Sequence, residues 1–107
     1  MYSQPPPPQQ PQHAALYLDY AGRRYPITVA RFIIGRERGA CHLVLPDNNV
    51  SRQHAAVEFH HGVAYMVDLG SRNGVGYNGH RIHRKQIVEG DRFEIGSHVL
   101  SFTFRHT

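Results

Sequence analysis

The sequence predicts an all-β fold built from many short strands, either a sandwich or a barrel. Several segments alternate apolar and polar residues with a period of two, which gives a strand one apolar face. Turn-forming residues separate these segments at intervals of about ten residues. No segment of about ten or more residues shows a convincing helical pattern, so substantial helices are not expected.

In chain order, the predicted strands are the apolar runs 16–20, 25–29, 32–34 and 43–45, the alternating segment 56–60, the run 63–69, and the alternating segments 91–95 and 98–104. The residues between them are typical of turns, namely Ala21-Gly22, Asp47-Asn48-Asn49, His61-Gly62, Asn73-Gly74, Asn78-Gly79, Glu89-Gly90-Asp91 and Gly96-Ser97. The last of these turns is tight, so it should join the final two strands as a hairpin.

Composition divides the chain near residue 15. Residues 4–12 are all Pro or Gln, and none of the ten glycines precedes Gly22. A segment of this kind is expected to be extended and solvated, so we interpret 1–14 as a Pro/Gln-rich tail or linker and 15–107 as one domain. An SH3-type ligand is the alternative for the tail, although no basic residue flanks the four consecutive prolines.

The remaining composition excludes several classes of protein. The single cysteine, Cys41, excludes an intramolecular disulfide framework and cysteine-rich zinc sites, and we interpret it as a small apolar loop residue. No run approaches the roughly 18 apolar residues of a membrane-spanning helix, and no signal peptide is recognisable, so a cytoplasmic protein without membrane contact is expected. The net charge of +4 favours anionic partners.

Polar residues recur in the predicted loops in a fixed order. The four elements are Gly35-Arg36, Ser51-Arg52-Gln53-His54, Ser71-Arg72-Asn73-Gly74 and Asn78-Gly79. Each element is weak alone, but together, between strands and in this order, they form a specific signal. Binding residues are often carried on loops that a rigid scaffold holds, so the function is sought in these loops.

These elements resemble the forkhead-associated (FHA) domain family. The matching residues are Gly35, Arg36, Ser51, His54, Asn73, Gly74, Asn78, Gly79, Gly90, Asp91 and Gly96, and the resemblance covers about residues 16–106. It implies a β-sandwich of about eleven strands whose loops at one end bind a phosphothreonine in an extended segment of a partner protein. The chain would then be a recruitment module in Ser/Thr kinase signalling, with a cognate kinase or its substrate as partner. A bacterial source is expected on other grounds, namely the pattern VSRQHA at residues 50–55 and the excess of Arg over Lys.

The resemblance also implies a role for each loop residue. The phosphate contacts would come from Arg36, Ser51, Arg52 and Arg72, and a contact with the main chain of the bound segment from Asn73. The residues that would shape the loops are Gly35, His54, Gly74, Asn78 and Gly79. A phosphothreonine carries about −1.5 to −2 charges and three acceptor oxygens, so a charged Arg fork beside neutral donors suits it.

Other functions fit parts of the sequence less well. Ser51 and His54 could form a nucleophilic pair, but no orienting Asp and no GxSxG turn accompanies them. The sequence has no nucleotide-binding glycine loop and no carboxylate pair placed for hydrolysis, so neither an enzyme nor a cofactor is expected. The alternative that stays open is a phosphate-independent scaffold on the same fold, within a larger bacterial signalling or secretion protein.

Two further hypotheses rest on basic and histidine residues. The cluster 81–85 could contact nucleic acid, but it lacks interleaved aromatic residues, so a solvated basic loop or steering of acidic phosphopeptides is favoured over specific nucleic-acid binding. A metal could be held by His60, His61, His80 or His83. Since neighbouring strand residues such as His60 and His61 face opposite sides, no metal site is expected.

Overall fold

The computed structural model describes residues 15–105, which form eleven strands and no helix. The strands are β1 (Tyr17–Tyr20), β2 (Arg23–Pro26), β3 (Arg31–Gly35), β4 (Leu43–Val44), β5 (Ala55–His60), β6 (Val63–Asp68), β7 (Val75–Tyr77), β8 (His80–Ile82), β9 (Arg84–Gln86), β10 (Arg92–Ile95) and β11 (His98–Thr103). The tail predicted over residues 1–14 lies outside the described residues. Within 15–105, no helix is available to cross a membrane.

Two sheets face each other as a sandwich. One has six strands in the order β2-β1-β11-β10-β7-β8, and the other has five in the order β4-β3-β5-β6-β9. Neighbouring strands are antiparallel except β3 and β4, which run parallel. The predicted all-β sandwich is therefore confirmed, as is the strand number that the family resemblance implies.

Most predicted strands are present with shifted ends. The run predicted at 25–29 forms a strand only at its start: β2 begins earlier, at Arg23, and ends at Pro26. The final hairpin is confirmed, with Ile95 opposite His98 across Gly96-Ser97. The sequence does not predict β7, β8 or β9, because three-residue strands are too short to show a period of two.

The core lies between the sheets and is apolar. Its largest fully buried side chains are Phe93, Phe102, Leu16, Leu18, Ile34, Leu45, Met66, Ile95 and Leu100. Phe93 on β10 and Phe102 on β11 meet edge to face, with ring centroids 5.7 Å apart. An aromatic pair of this geometry adds about 0.5–1.5 kcal/mol beyond its burial, so these two strands anchor the six-stranded sheet to the core.

A charged cluster closes the core at the start of β10. The Asp91 carboxylate is 5% exposed and accepts hydrogen bonds from Lys85 Nζ at 2.7 Å, Tyr77 Oη at 2.8 Å and the Val88 amide at 2.9 Å. Burial alone would raise the Asp91 pKa, but the three donors outweigh burial and hold this pKa below its ordinary value of 3.8. Because Lys85 belongs to the five-stranded sheet and Tyr77 to the six-stranded sheet, Asp91 ties the two sheets together.

Replacing Asp91 with Asn should lower the free energy of unfolding and flatten its dependence on pH in acid. The folded-state pKa is lowered, so the stabilisation from the carboxylate is present above the unfolded-state pKa and is lost as pH falls through the folded-state pKa. Breaking a buried charge pair costs about 3–5 kcal/mol, and Asn keeps one acceptor, so we expect about 3 kcal/mol at neutral pH. Thermal melts at neutral and acidic pH would measure this, and equal pH slopes for the two proteins would contradict it.

Candidate functional site

Three loops meet at one end of the sandwich. They are the β3–β4 loop (36–42), the β4–β5 loop (45–54) and the β6–β7 loop (69–74). Ile34 pairs with Ala55, and Ala55 pairs with Asp68, so β3 and β6 end at the edge where β5 begins. The first three polar elements of the sequence are thereby brought together.

Gly35 allows the first two loops to touch. A Cβ at this position would overlap the Arg52 carbonyl oxygen and lie 3.0 Å from Cys41 Sγ. The same carbonyl accepts hydrogen bonds from the Glu37 amide and from Cys41 Sγ, both at 3.1 Å. Burial raises the pKa of the Cys41 thiol, so the thiol stays protonated and able to donate. Cys41 therefore helps to hold the loop junction, in addition to being the small loop residue that we expect.

Main-chain contacts hold Arg36 across the loop junction. Its amide donates to the Ser51 carbonyl at 3.0 Å, and its Nε donates to the Val50 carbonyl at 2.9 Å. The residue is half-buried, and its two terminal NH₂ groups have no hydrogen-bond partner among residues 15–105. The guanidinium group is therefore fixed in direction while its outer edge stays open.

His54 connects the β4–β5 loop to the start of β7. The side chain is fully buried, its Nδ1 accepts from the Ser51 amide at 3.0 Å, and its Nε2 lies 2.8 Å from the Gly74 carbonyl oxygen. A ring nitrogen that accepts from an amide carries no proton, so the ring is neutral and Nε2 donates to Gly74. Both ring nitrogens are thus committed to main-chain groups, and neither activates the Ser51 hydroxyl.

Ser51, Arg52 and Arg72 frame the outside of the junction. Ser51 Oγ accepts from the Arg72 amide at 3.1 Å and keeps its own proton available for donation. The Arg52 amide has no acceptor within residues 15–105. The exposed guanidinium groups of Arg52 and Arg72 likewise make no ion pair or hydrogen bond with the described part of the chain.

Asn73 lies beside the β4–β5 loop. Its Nδ2 donates to the Asn49 carbonyl at 2.8 Å, which fixes the orientation of the side-chain amide. Oδ1 and the second N–H have no partner among the described residues. The amide can therefore accept from, and donate to, the main chain of an extended segment.

Two residues that the sequence analysis does not assign to the site support the β6–β7 loop. Ser71 Oγ accepts from the Gly74 amide at 2.9 Å, and the Ser71 amide donates to Asp68 Oδ1 at 2.9 Å. Arg81 Nη2 donates to the Ser71 carbonyl at 3.1 Å and lies 3.8 Å from Asp68 Oδ2. The Ser-x-x-Gly spacing in the sequence indicates the contact between Ser71 Oγ and the Gly74 amide. No sequence pattern indicates the contacts of Arg81, because Arg81 lies on a different element, β8.

A hydrogen-bonded chain links the β4–β5 loop to the six-stranded sheet. Asp47 Oδ1 accepts from the Asn49 amide at 2.8 Å, and Oδ2 accepts from His98 Nε2 at 2.8 Å. His98 Nδ1 in turn lies 2.7 Å from Tyr20 Oη. Two hydrogen bonds lower the Asp47 pKa: the one from the Asn49 amide contributes most, and the one from His98 contributes less. No sequence pattern predicts this chain, because 51 residues separate Asp47 from His98.

The basic cluster 81–85 is largely engaged within the fold. Arg81 binds the Ser71 carbonyl, as described above, and Lys85 Nζ donates to Asp91 at 2.7 Å. The Arg84 guanidinium lies over the Tyr65 ring, 3.7 Å from its centroid. Three cationic side chains of the cluster are therefore held within the fold, and the cluster lies on β8 and β9 instead of in the solvated loop that we expect.

The expectation that His60 and His61 face opposite sides is wrong. His61 lies in the β5–β6 turn with a φ of 52°, and its ring meets the His60 ring edge to face with centroids 4.3 Å apart. The turn conformation, rather than strand pleating, sets the direction of the second ring. Across residues 15–105, no group of three or more His, Cys, Asp or Glu side chains is placed to hold a metal ion.

Asn78-Gly79 lies apart from the three loops. These residues form the β7–β8 turn with φ values of 51° and 80°, the pattern of a type I′ hairpin turn. The turn is at the opposite end of β7 from Gly74, which lies in the β6–β7 loop. Its contribution is therefore to shape a hairpin, and not to line the loop junction.

The loop junction as a whole is suited to an anion. Arg36 offers a charged fork, Ser51 a hydroxyl donor and Arg52 an amide donor, all beside one another. Charge-assisted hydrogen bonds of this kind are about twice as strong as neutral ones. An anion with several acceptor oxygens could use all three donors together, next to an amide that can hold an extended chain.

Comparisons with known proteins agree on one kind of domain. The family model described as FHA domain matches residues 32–96, more than half of the chain. The FHA domain-containing protein FhaA of Mycobacterium tuberculosis (strain ATCC 25618 / H37Rv) is 36% identical over 78 residues, which cover 73% of this chain and 15% of FhaA.

Solved structures give the same result. Mycobacterium tuberculosis EmbR in complex with a low-affinity phosphopeptide is similar with a TM-score of 0.81 and 33% identity, covering 88% of this chain and 25% of that chain. The FhaA FHA domain complexed with the intracellular domain of Rv3910 is similar with a TM-score of 0.74 and 30% identity, covering 81% of this chain and 98% of that chain. The chain therefore spans a small part of full-length FhaA and of the EmbR chain.

Replacing Gly35 with Ala should destabilise the domain by about 1–3 kcal/mol, because the added methyl group would overlap the Arg52 carbonyl. Gly76 provides a matched control in β7, where an added Cβ would meet its nearest neighbour, Glu94 Oε1, at an ordinary 3.5 Å. Gly76→Ala should be neutral or slightly stabilising, since Gly in a strand costs conformational entropy. Chemical denaturation would measure both variants, and equal losses would contradict a specific close approach at Gly35.

Proposed function

The chain belongs to the FHA domain family, and on that premise we propose that it is a phosphothreonine-dependent protein-binding module. It recruits a partner by holding a phosphothreonine in an extended segment at the loop end of the sandwich. The single observation that supports this most strongly is the open donor edge of Arg36 beside the Ser51 hydroxyl and the Arg52 amide.

The phosphate site follows from those donors. Phosphothreonine brings about −1.5 to −2 charges and three strong acceptor oxygens at neutral pH. The Arg36 guanidinium supplies the charge, and its Nε contact with Val50 restricts it to one direction before the ligand arrives. Because the side chain is already ordered, binding loses less rotamer entropy than it would with a free surface arginine. Arg72 supplies a second cation at the same edge, next to Ser51.

The peptide site follows from Asn73. Its amide is oriented by the Asn49 carbonyl, and its free Oδ1 and N–H match the donor and acceptor of one main-chain residue. Contact with the main chain carries no sequence information, so this residue holds an extended segment whatever its side chains are. The phosphate would then be bound mainly from the β3–β4 and β4–β5 loops, and the main chain from the β6–β7 loop.

The relatives support a signalling role. EmbR is seen with a phosphopeptide, and the FhaA FHA domain with an intracellular domain of another protein. By analogy, the partner of this chain is a phosphothreonine-containing protein, either a Ser/Thr kinase or a substrate of one, in the cytoplasm of a bacterium. The larger protein would supply any further activity, while this domain binds and does not catalyse.

Replacing Arg36 with Ala should weaken binding of a phosphothreonine peptide by about 30-fold or more, since a lost charge-assisted contact costs about 2–3 kcal/mol. Calorimetry with a peptide selected from an oriented phosphothreonine library would measure the loss. Arg92→Ala is the matched control, because the Arg92 side chain is exposed on β10 and makes no hydrogen bond, ion pair or ring contact with residues 15–105. Unchanged affinity in the Arg36 variant, or equal binding of the unphosphorylated peptide, would contradict the proposal and favour a phosphate-independent scaffold.

Replacing Asn73 with Ala should separate the two halves of the site. We expect affinity for the phosphothreonine peptide to fall about tenfold, the cost of about one hydrogen bond, while affinity for O-phosphothreonine as a free amino acid stays within about twofold. Arg36→Ala should instead lower both affinities. NMR titration of the two ligands would measure them, and an equal loss for both ligands in the Asn73 variant would place Asn73 at the phosphate.

A further inference from the structure

Arginines without partners are concentrated at the loop end of the molecule. Most Arg side chains elsewhere are engaged: Arg24 with Asp19, Arg31 with Glu58, Arg81 with Ser71, Arg84 with Tyr65, and Arg23 near the Tyr25 ring. Hydrogen bonds from Thr103 Oγ1 and the Phe104 amide chiefly lower the Glu89 pKa, and Arg105 adds a smaller electrostatic contribution. Within residues 15–105, the side chains with no ion pair, hydrogen bond or ring contact are those of Arg38, Arg52, Arg72 and Arg92. Three of these four lie on the loops around Arg36.

We propose that the domain selects a segment with a second anionic group beside the phosphothreonine, either another phosphorylated side chain or a carboxylate. This inference rests on the proposed function and specifies its class of partner. Arg38, together with the Arg52 and Arg72 side chains, forms the second anion site, which we call the outer arginine group.

The backbone that carries the outer arginine group is fixed although the side chains are free. The Arg52 carbonyl is held by the Glu37 amide and Cys41 Sγ, and the Arg72 amide is held by Ser51 Oγ. Arg38 follows Glu37 directly in the β3–β4 loop. Arg38, Arg52 and Arg72 are thus carried on anchored backbone, in the three loops that meet beside Arg36.

The carboxylates at this end do not neutralise the outer arginine group. Asp47 is bound by the Asn49 amide and His98, and Asp68, with its side chain only 2% exposed, is bound by the Ser71 amide beside Arg81. Glu37 is the one carboxylate of the three loops whose side chain has no hydrogen bond or ion pair within residues 15–105. Glu37 can therefore offset at most one of the three positive charges, and the outer arginine group keeps a net positive charge that an anionic ligand could meet.

One phosphate group does not use all the available donors. Its three terminal oxygens can be bound by the open edge of Arg36, the Ser51 hydroxyl and the Arg52 amide. Even with one contact from Arg72 to the phosphate, this leaves the guanidinium group of Arg38 unpaired, along with most of the donors on Arg52 and Arg72. A second anion in the same segment would pair with them, and bidentate Arg contacts favour phosphate or carboxylate in particular.

The test uses the 107-residue chain and an oriented phosphothreonine-peptide library with three arms. At each flanking position, the library carries phosphothreonine, Asp or Ala. We expect the phosphothreonine arm, the Asp arm, or both to be enriched about fivefold or more over Ala at one or more positions, the upper range for an exposed ion pair. Enrichment of the phosphothreonine arm alone would identify the second group as a phosphate, and enrichment of both arms would identify it as any anion.

Arg38→Ala and Arg92→Ala distinguish a local site from overall charge, since each removes one exposed cation. Arg38→Ala should abolish most of the enrichment and leave the affinity for the singly phosphorylated peptide within about twofold, whereas Arg92→Ala should change neither. Raising the salt concentration should reduce the enrichment, because exposed charges are screened. Thermal melts would verify that both variants are folded.

Three outcomes would overturn the inference. The Ala arm could perform as well as the anionic arms while phosphothreonine-dependent binding persists, in which case the proposed function stands and the second anion site does not. Arg38→Ala and Arg92→Ala could lower the enrichment equally, which would show that the preference for anionic segments comes from net charge and not from a local site. Absence of any phosphothreonine-dependent binding would overturn the proposed function and this inference together.

Discussion

The buried imidazole of His54 is the constraint on which the rest of the loop end depends. It accepts from the Ser51 amide and donates to the Gly74 carbonyl, and so joins two loops that carry the open donors. A polar ring in an apolar interior is tolerated only when its nitrogens are bonded, and this ring has both bonds. Hydrogen bonding is equally complete throughout residues 15–105, where no buried side-chain nitrogen or oxygen lacks a partner. The ring therefore sets the relative position of the loops before any ligand binds.

This internal bonding explains why the site can be open at its surface. The main-chain groups of the junction bind one another, since Arg36 donates to Ser51 and Glu37 donates to Arg52. Loops held largely in this way keep their shape, so the outer edge of Arg36, the guanidinium groups of Arg52 and Arg72, and the unbonded Oδ1 and N–H of Asn73 are free to contact a ligand. Pre-organisation of this kind lowers the entropy lost on binding, which matters for a small interface that depends on a few strong contacts.

The sequence predicts most of the long strands of the fold but only part of the candidate site. Period-two patterns and turn residues predict the long strands, but β7, β8 and β9 are too short to leave a pattern. The order of the four loop elements, through the family resemblance, identifies Ser51 and His54, whose contact spans only three residues along the chain. The sequence does not predict the roles of His98, Asp47 and Arg81, because their contacts depend on how segments far apart in the sequence pack together. His61 is a smaller case, since its direction is set by a turn that the strand rule does not describe.

The distant contacts are also where this domain can differ from others of its family. Asn73 is oriented by the Asn49 carbonyl, and Asn49 is held by Asp47, which His98 holds from the six-stranded sheet. Asn73, which would contact the peptide main chain, is thus positioned through the six-stranded sheet, whereas Arg36 follows β3 of the five-stranded sheet. Phosphate and peptide contacts therefore depend on different parts of the sandwich. Substitutions at His98 can alter how firmly the peptide main chain is held while leaving the Arg36 and Ser51 donors in place, which allows the strength of peptide binding to change without loss of phosphate recognition.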